Sequence, residues 1–134
     1  MIDIRPARFD DYPRIISYDV FLGDRRLDIQ RGELYVCDTE NSSAVGYMKI
    51  TRNQFLDWPL LAALCVDTKF RRRGFGTALL NHAQGLETAI RMYLSTETGN
   101  KAMLRLLEKA GAQRIGYLDK LNLNDERELF FRLK

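Results

Sequence analysis

Val66-Asp67-Thr68-Lys69-Phe70-Arg71-Arg72-Arg73-Gly74-Phe75-Gly76-Thr77-Ala78-Leu79-Leu80 joins an apolar segment to a periodic one through three arginines and a Gly-x-Gly step. Upstream, Trp58 to Val66 holds no charged residue across nine positions, the pattern of a strand covered on both faces in the middle of a sheet. Pro59 and the short length argue against a buried helix. Downstream, Phe75, Leu79, Ala83, Leu86 and Ile90 recur at helical spacing and mark one apolar face. A strand feeding a glycine loop and then a helix aims backbone N–H groups at an anion. Gly74 and Gly76 remove Cβ atoms that would hold a phosphate away from the backbone, and the helix start adds unsatisfied donors and a positive dipole end. Arg71, Arg72 and Arg73 supply charge beside it. No Gly-Lys-Ser/Thr follows, so the loop is not a Walker A loop, and the third glycine of the dinucleotide fingerprint is missing.

Outward from this stretch, Met1 to Arg5 alternates as a short edge strand. Asp10-Asp11-Tyr12-Pro13 has the makeup of an acidic N-cap with proline in the first turn, which predicts a helix to about Val20. Asp24 to Gln30 predicts a second short helix ended by Gly32. Leu34 to Cys37 and Ala44 to Phe55, separated by the turn chemistry of Thr39 to Ser43, predict an antiparallel hairpin. Met92 to Thr96 reads as a strand, and Asn100 to Ala110 as a helix stopped by Gly111. Two last strands, Gln113 to Asp119 and Glu128 to Leu133, flank a polar loop. The order β-α-α-β-β-β-α-β-α-β-β predicts an α/β fold with a central mixed sheet of six to seven strands and about four helices.

The bulk numbers bound the class. At 134 residues and 46% hydrophobic content, the chain suits a single domain, 1–134, with one continuous core. No run of about 18 apolar residues exists, and the start lacks the pattern of a secretory signal, so a cytoplasmic protein with no membrane association is expected. Cys37 and Cys65 belong to no metal-ligand spacing, so no metal is expected, and they read as small buried hydrophobes rather than a disulfide framework. The formal net charge of +3 is concentrated at Lys69 to Arg73. By charge alone that cluster suits nucleic acid, phospholipid or a phosphorylated cosubstrate.

Arg71-Arg72-Arg73-Gly74-Phe75-Gly76, read as Arg-x-x-Gly-x-Gly, resembles the acetyl-CoA-binding motif of the GNAT superfamily of N-acyltransferases. Ile4-Arg5-Pro6-Ala7 with Asp10-Asp11, and Asn100 with Leu106, Glu108-Lys109 and Gly111, extend the resemblance over nearly the whole chain. It implies a V-shaped opening where the strand ending near Val66 splays from the strand ending near Thr96, with the pantetheine arm of acetyl-CoA between them. Arg71, Arg72, Arg73, Gly74, Phe75, Gly76 and Thr77 would wrap the pyrophosphate, and Asn100 would sit beside the arm. Backbone groups of Leu64 and Val66 would bind the arm, with the Val66 amide also polarising the thioester carbonyl. The implied activity is transfer of an acetyl group to a primary amine by direct attack in a ternary complex, the acceptor being a small molecule, a peptide terminus or a lysine. A homodimer is implied by family analogy alone.

One position departs from the family pattern: where many members carry a tyrosine that protonates the leaving thiolate, this chain has Leu107. Water, Tyr93 and Tyr117 are the alternatives for that acid, and a catalytically silent CoA-binding regulatory module is the alternative for the whole chain. Glu33, Asp57, Asp67 and Glu97 are carboxylates near strand ends and candidates for the base that deprotonates the amine, as is water. By analogy, the segments Phe21 to Glu33 and Asp119 to Arg127 would shape the acceptor site. His82 reads as a solvent-exposed helix residue, Cys65 as a core residue and Trp58 as core packing. A basic nucleic-acid-binding domain using Arg71 to Arg73 lacks a supporting aromatic platform or helix-turn-helix signature.

Overall fold

A computed structural model describes all 134 residues. Its elements are strands β1 (Asp3–Pro6), β2 (Leu34–Asp38), β3 (Gly46–Phe55), β4 (Trp58–Val66), β5 (Tyr93–Glu97), β6 (Gln113–Leu118) and β7 (Glu128–Arg132), with helices α1 (Tyr12–Ile16), α2 (Arg25–Gln30), α3 (Phe75–Gln84) and α4 (Lys101–Lys109). The strands form one mixed sheet in the order β1-β2-β3-β4-β5-β7-β6. All neighbours are antiparallel except β4 and β5, which run parallel and meet at a single register position, Leu60 opposite Tyr93. Beyond that point they diverge, and the divergence is the splay implied between Val66 and Thr96.

Strand alternation divides the apolar residues between two layers. Met48, Val66, Leu94, Leu129 and Phe131 pack with Leu79, Leu80, Ala83 and Leu107 of α3 and α4 in a cluster of 17 buried residues. Tyr47, Ala63 and Cys65 face the other way, onto Ile15 of α1 and Ile29 of α2, in a cluster of 8. The α3–α4 layer therefore holds the larger apolar core. The smaller layer is supplemented by ion pairs: Arg25 bonds Asp19 (2.9 Å) and Asp28 (3.1 Å), and Lys49 reaches Asp28 at 3.0 Å.

Several expectations are corrected. Helix α1 stops at Ile16 rather than near Val20, because the buried Asp19 carboxylate accepts from Phe21 N–H, Tyr47 Oη and Arg25, which turns the chain away from helical geometry. Asp11 stands at the N-cap position of α1 with Pro13 in the first turn, as expected, but its side chain does not bond into the helix; its carboxylate accepts from Arg8 N–H (2.7 Å) and from the Arg5 guanidinium. Helix α3 ends at Gln84, where Gly85 N–H donates to both the Asn81 and His82 carbonyls. Leu86 and Ile90 therefore lie outside α3, and Ile90 is exposed. Finally, β4 is covered only in its later half: Trp58 is 40% exposed at its start, so it is not core packing. His82 is half-buried rather than solvent-exposed, its ring centroid 5.7 Å from that of Tyr35.

Candidate active site

The loop begins where β4 ends. Asp67 accepts from Lys69 N–H (3.1 Å) and pairs with Arg14 at 2.6 Å, fixing a short 3-10 turn at Thr68–Phe70. Burial pushes the Asp67 carboxyl up, but the hydrogen bonds from Arg14 and Lys69 N–H outweigh it and hold the group below the usual carboxylate range. Arg71 Nε donates to the Val66 carbonyl (3.1 Å), and Arg73 lies 5.3 Å from the Phe70 ring centroid. Arg72 and Gly74 both take left-handed backbone conformations, φ 63° and 88°. Gly74 is glycine for that conformation, since a Cβ there would meet nothing within 4 Å. Gly76 is glycine for a different reason: its Cβ would stand 2.9 Å from Leu106 Cδ1, so it sets how closely α3 approaches α4. No side chain caps α3, and Ala78 N–H is the first to bond back, to the Gly74 carbonyl (3.0 Å). The N–H groups of Phe75, Gly76 and Thr77 thus lead the helix without intrahelical partners. Together with the exposed Arg72 they leave unpaired donors and positive charge at one end of the helix, chemistry that suits an anion.

Register identifies which backbone groups of β4 face the splay. Asp67 N–H donates to the carbonyl of Val45, the residue before β3 (2.8 Å), and Gly46 stands opposite Val66. Hydrogen-bonded and non-hydrogen-bonded pairs alternate in an antiparallel ladder, so Cys65 bonds to β3 while Leu64 and Val66 turn their N–H and C=O groups toward β5. The Arg71 bond to the Val66 carbonyl fits that direction. Because β5 has already diverged, no strand lies beside these amides.

A cavity of about 380 Å³ occupies the splay. Leu61–Leu64 of β4 and Leu94–Glu97 of β5 form its walls, Asn100 and Met103 line it from α4, and Phe21, Asn122 and Glu128 complete it. Leu64 lines this cavity; Val66 lies beyond it, at the loop end of the strand. Asn100 caps α4, its Oδ1 accepting from Met103 N–H (3.2 Å). Phe21 and Asn122 come from the two segments expected to shape the acceptor site, whereas Arg25 and Asp28 of the first segment are buried in their ion cluster.

Of the four candidate carboxylates only Glu97 lines the cavity. Asp67 is committed to Arg14, Glu33 accepts from Arg52 N–H (3.1 Å), and Asp57 occupies the β3–β4 turn. Tyr93 packs against Phe55 and Tyr117 lies under Arg127, so neither reaches the cavity. Leu107 is fully buried in the core. Cys65 is buried too, and burial raises its thiol pKa. Sequence reasoning missed Glu128, whose carboxylate accepts from Ser95 Oγ (2.6 Å) and Asn122 Nδ2 (3.0 Å). Its only sequence signal is the alternation of Glu128, Phe130 and Arg132.

A comparison with curated proteins gives no match. Solved structures share the fold. A GNAT-family acetyltransferase from Bacillus cereus superposes with a TM-score of 0.87, at 24% identity, covering 98% of this chain and 96% of that one. The ribosomal-protein-S18-alanine N-acetyltransferase from Escherichia coli gives 0.78 at 19%, covering 98% and 92%. Arabidopsis thaliana NAA60 in complex with acetyl-CoA gives 0.74 at 19%, covering 98% of both chains. The profile of the acetyltransferase (GNAT) family matches residues 2–112, most of the chain, and the protein belongs to that family.

Proposed function

We propose that residues 1–134 form one N-acetyltransferase domain that moves an acetyl group from acetyl-CoA to a primary amine by direct attack. The observation that carries this reading is the pair of partnerless β4 amides at Leu64 and Val66, which leads directly into the left-handed Gly74 step and the uncapped start of α3. Phe75, Gly76 and Thr77 N–H groups would hold the pyrophosphate, with Arg72 beside it and Arg71 and Arg73 bracing the loop. Val66 and Leu64 would bind the arm as a neighbouring strand does, with Asn100 at its side. Leu64 N–H would then be the donor to the thioester carbonyl in place of Val66 N–H, a reading supported by Leu64 lining the cavity while Val66 does not. A donor aimed at that oxygen stabilises the charge that develops there during attack.

Leucine at 107 leaves α4 without an acid for the departing sulfur. A thiol with a reference pKa of about 8.5 leaves as thiolate near neutral pH, so its departure needs no acid from α4. The neighbours named above include an enzyme acting on a ribosomal-protein alanine and one holding acetyl-CoA, which fits acetyl transfer to an amine acceptor.

Calorimetric titration with acetyl-CoA tests the assignment. Binding of about micromolar strength is expected, weakened at least about 50-fold by Gly74→Val, which strains the left-handed step and fills the space before the helix. Unchanged affinity in a folded Gly74→Val protein sinks the loop assignment. Binding without thiol release across an amine panel would make the chain a silent CoA-binding module.

A further inference from the structure

We infer that Glu128 is the group that receives the acceptor amine as an ammonium ion and removes its proton, so that the acceptor enters in its charged form. The inference rests on the acetyl-transfer reading above and deepens it.

The placement follows from alternation along β7. Leu129 and Phe131 point into the α3–α4 core, so Glu128 and Phe130 point to the opposite face, the side of α1 and α2. Glu128 stands directly across from Glu97 on β5, and Ser95, two residues earlier on the same face, donates to its Oε2. The loop that binds the anion belongs to α3, on the other face. A cosubstrate held at α3 and an amine arriving past Phe21 and Asn122 therefore meet in the split between β4 and β5, where Leu64 and Glu128 line one cavity.

Its partners are unlike those of the buried aspartates. The buried Asp11, Asp19, Asp28 and Asp67 each hold an arginine or lysine. Glu128 holds two neutral donors, Ser95 Oγ and Asn122 Nδ2, one on each oxygen, and forms no ion pair. A carboxylate has about four lone-pair sites, so half remain for a ligand. Its charged neighbours include Glu97 across the ladder, Glu126 in the preceding loop, and the adjacent Arg127, which is paired with Asp119. Glu97 Oε2 accepts from Asn124 Nδ2, and that same amide also donates to Glu126. No lysine, arginine or histidine lines the cavity. Like charges directly opposite in a sheet are unfavourable, and an ammonium group bound beside Glu128 relieves that repulsion, whereas an acidic acceptor would add to it.

The step balances without any other reactant. Glu128 takes one proton from the ammonium, and the freed nitrogen lone pair forms a C–N bond to the thioester carbonyl carbon. The tetrahedral adduct collapses with cleavage of the C–S bond, whose electron pair goes to sulfur. The nitrogen loses its second proton to the thiolate, giving free CoA thiol, and Glu128 returns its proton to water. One proton is released per turnover.

Glu128→Gln keeps the volume and removes the charge. Acetyl-CoA affinity by calorimetry and thiol release with n-butylamine and with leucinamide are measured from about pH 6.5 to about pH 10. The expected result is unchanged acetyl-CoA affinity and a kcat/KM lower on the order of 100-fold near neutral pH. The deficit should shrink as pH rises and the free amine becomes abundant. It should shrink at lower pH for leucinamide, an α-amine with a reference pKa near 8, than for n-butylamine, whose ammonium resembles that of lysine at about 10.4. A deficit equal at every pH and for both amines would mark Glu128 as structural and overturn the inference. So would an unchanged rate, or a wild-type protein that binds acetyl-CoA yet turns over neither amine. Failure of the wild type to bind acetyl-CoA would strike the underlying acetyl-transfer reading instead.

Discussion

The two glycines of the loop answer to different forces. Gly74 has φ +88° and open space around its missing side chain, so a side chain there is opposed by backbone sterics and by whatever the loop binds. Gly76 has an unstrained helical backbone, and its missing side chain is filled by Leu106 of α4. Gly76→Ala therefore forces Leu106 to swing from its place between the two helices. We expect it to lower stability by about 1–2 kcal/mol, the ordinary range for one added methyl in a packed layer. A urea midpoint shifted down with an unchanged slope would agree, while an unchanged midpoint would show that Leu106 moves freely and that α3 and α4 are not held in this register. The same substitution leaves the loop backbone alone, so acetyl-CoA affinity should fall far less than with Gly74→Val.

At the scale of elements, β4 presents two kinds of amide in alternation. Cys65 bonds across to β3 and Asp67, just past the strand, to Val45, while Leu64 and Val66 face the splay. Hydrogen exchange should therefore be slow at Cys65 and Asp67 with or without acetyl-CoA, and fast at Leu64 and Val66 until acetyl-CoA is added. Equal protection of all four amides before addition would mean that the splay is closed in solution. The local signals that place β4 were legible in the sequence: an uncharged nine-residue run, then glycines, then helical spacing. Local pattern also placed α2, α4 and the β2–β3 hairpin. It failed where a distant partner decides the local geometry. Asp19 reads as one more polar residue of a helix, yet Tyr47 and Arg25 capture its carboxylate and end α1 early. Leu86 and Ile90 keep the helical spacing, yet Gly85 has already closed the helix. Glu128 was not legible because the sheet order places β7, the last strand in sequence, between β5 and β6. Nothing in the spacing from Glu97 to Glu128 announces that the two face each other.

Across the whole molecule, the two layers flanking the sheet are held by different means. The α3–α4 layer rests on the larger apolar cluster, whereas the α1–α2 layer adds to a smaller one a set of buried carboxylates bound to arginines and a lysine. For Asp11, Asp19 and Asp67 burial pushes the carboxyl up, but hydrogen bonds outweigh it: Arg5 and Arg8 N–H at Asp11, Tyr47 and Arg25 at Asp19, Arg14 and Lys69 N–H at Asp67. All three therefore titrate below the usual carboxylate range in the folded chain. A depressed native pKa means that the unfolded chain binds protons more readily than the folded one. The stability these groups contribute is then present above the unfolded value of about 3.9 and is lost as pH falls through the lower native values. We expect the urea midpoint to change little between pH 7 and about pH 5 on their account and to fall steeply below about pH 4. Asp67→Asn, which removes one of the three, should flatten that acid limb while lowering the midpoint at neutral pH, because Arg14 loses its partner and the 3-10 turn loses a charge-assisted cap. An acid limb as steep in the variant as in the parent would show that Asp67 contributes nothing to it. Because Asp19 also holds Phe21 N–H (3.0 Å), the same protonation loosens the segment that lines the cavity from the α1–α2 side, linking acid stability to the shape of the acceptor entrance.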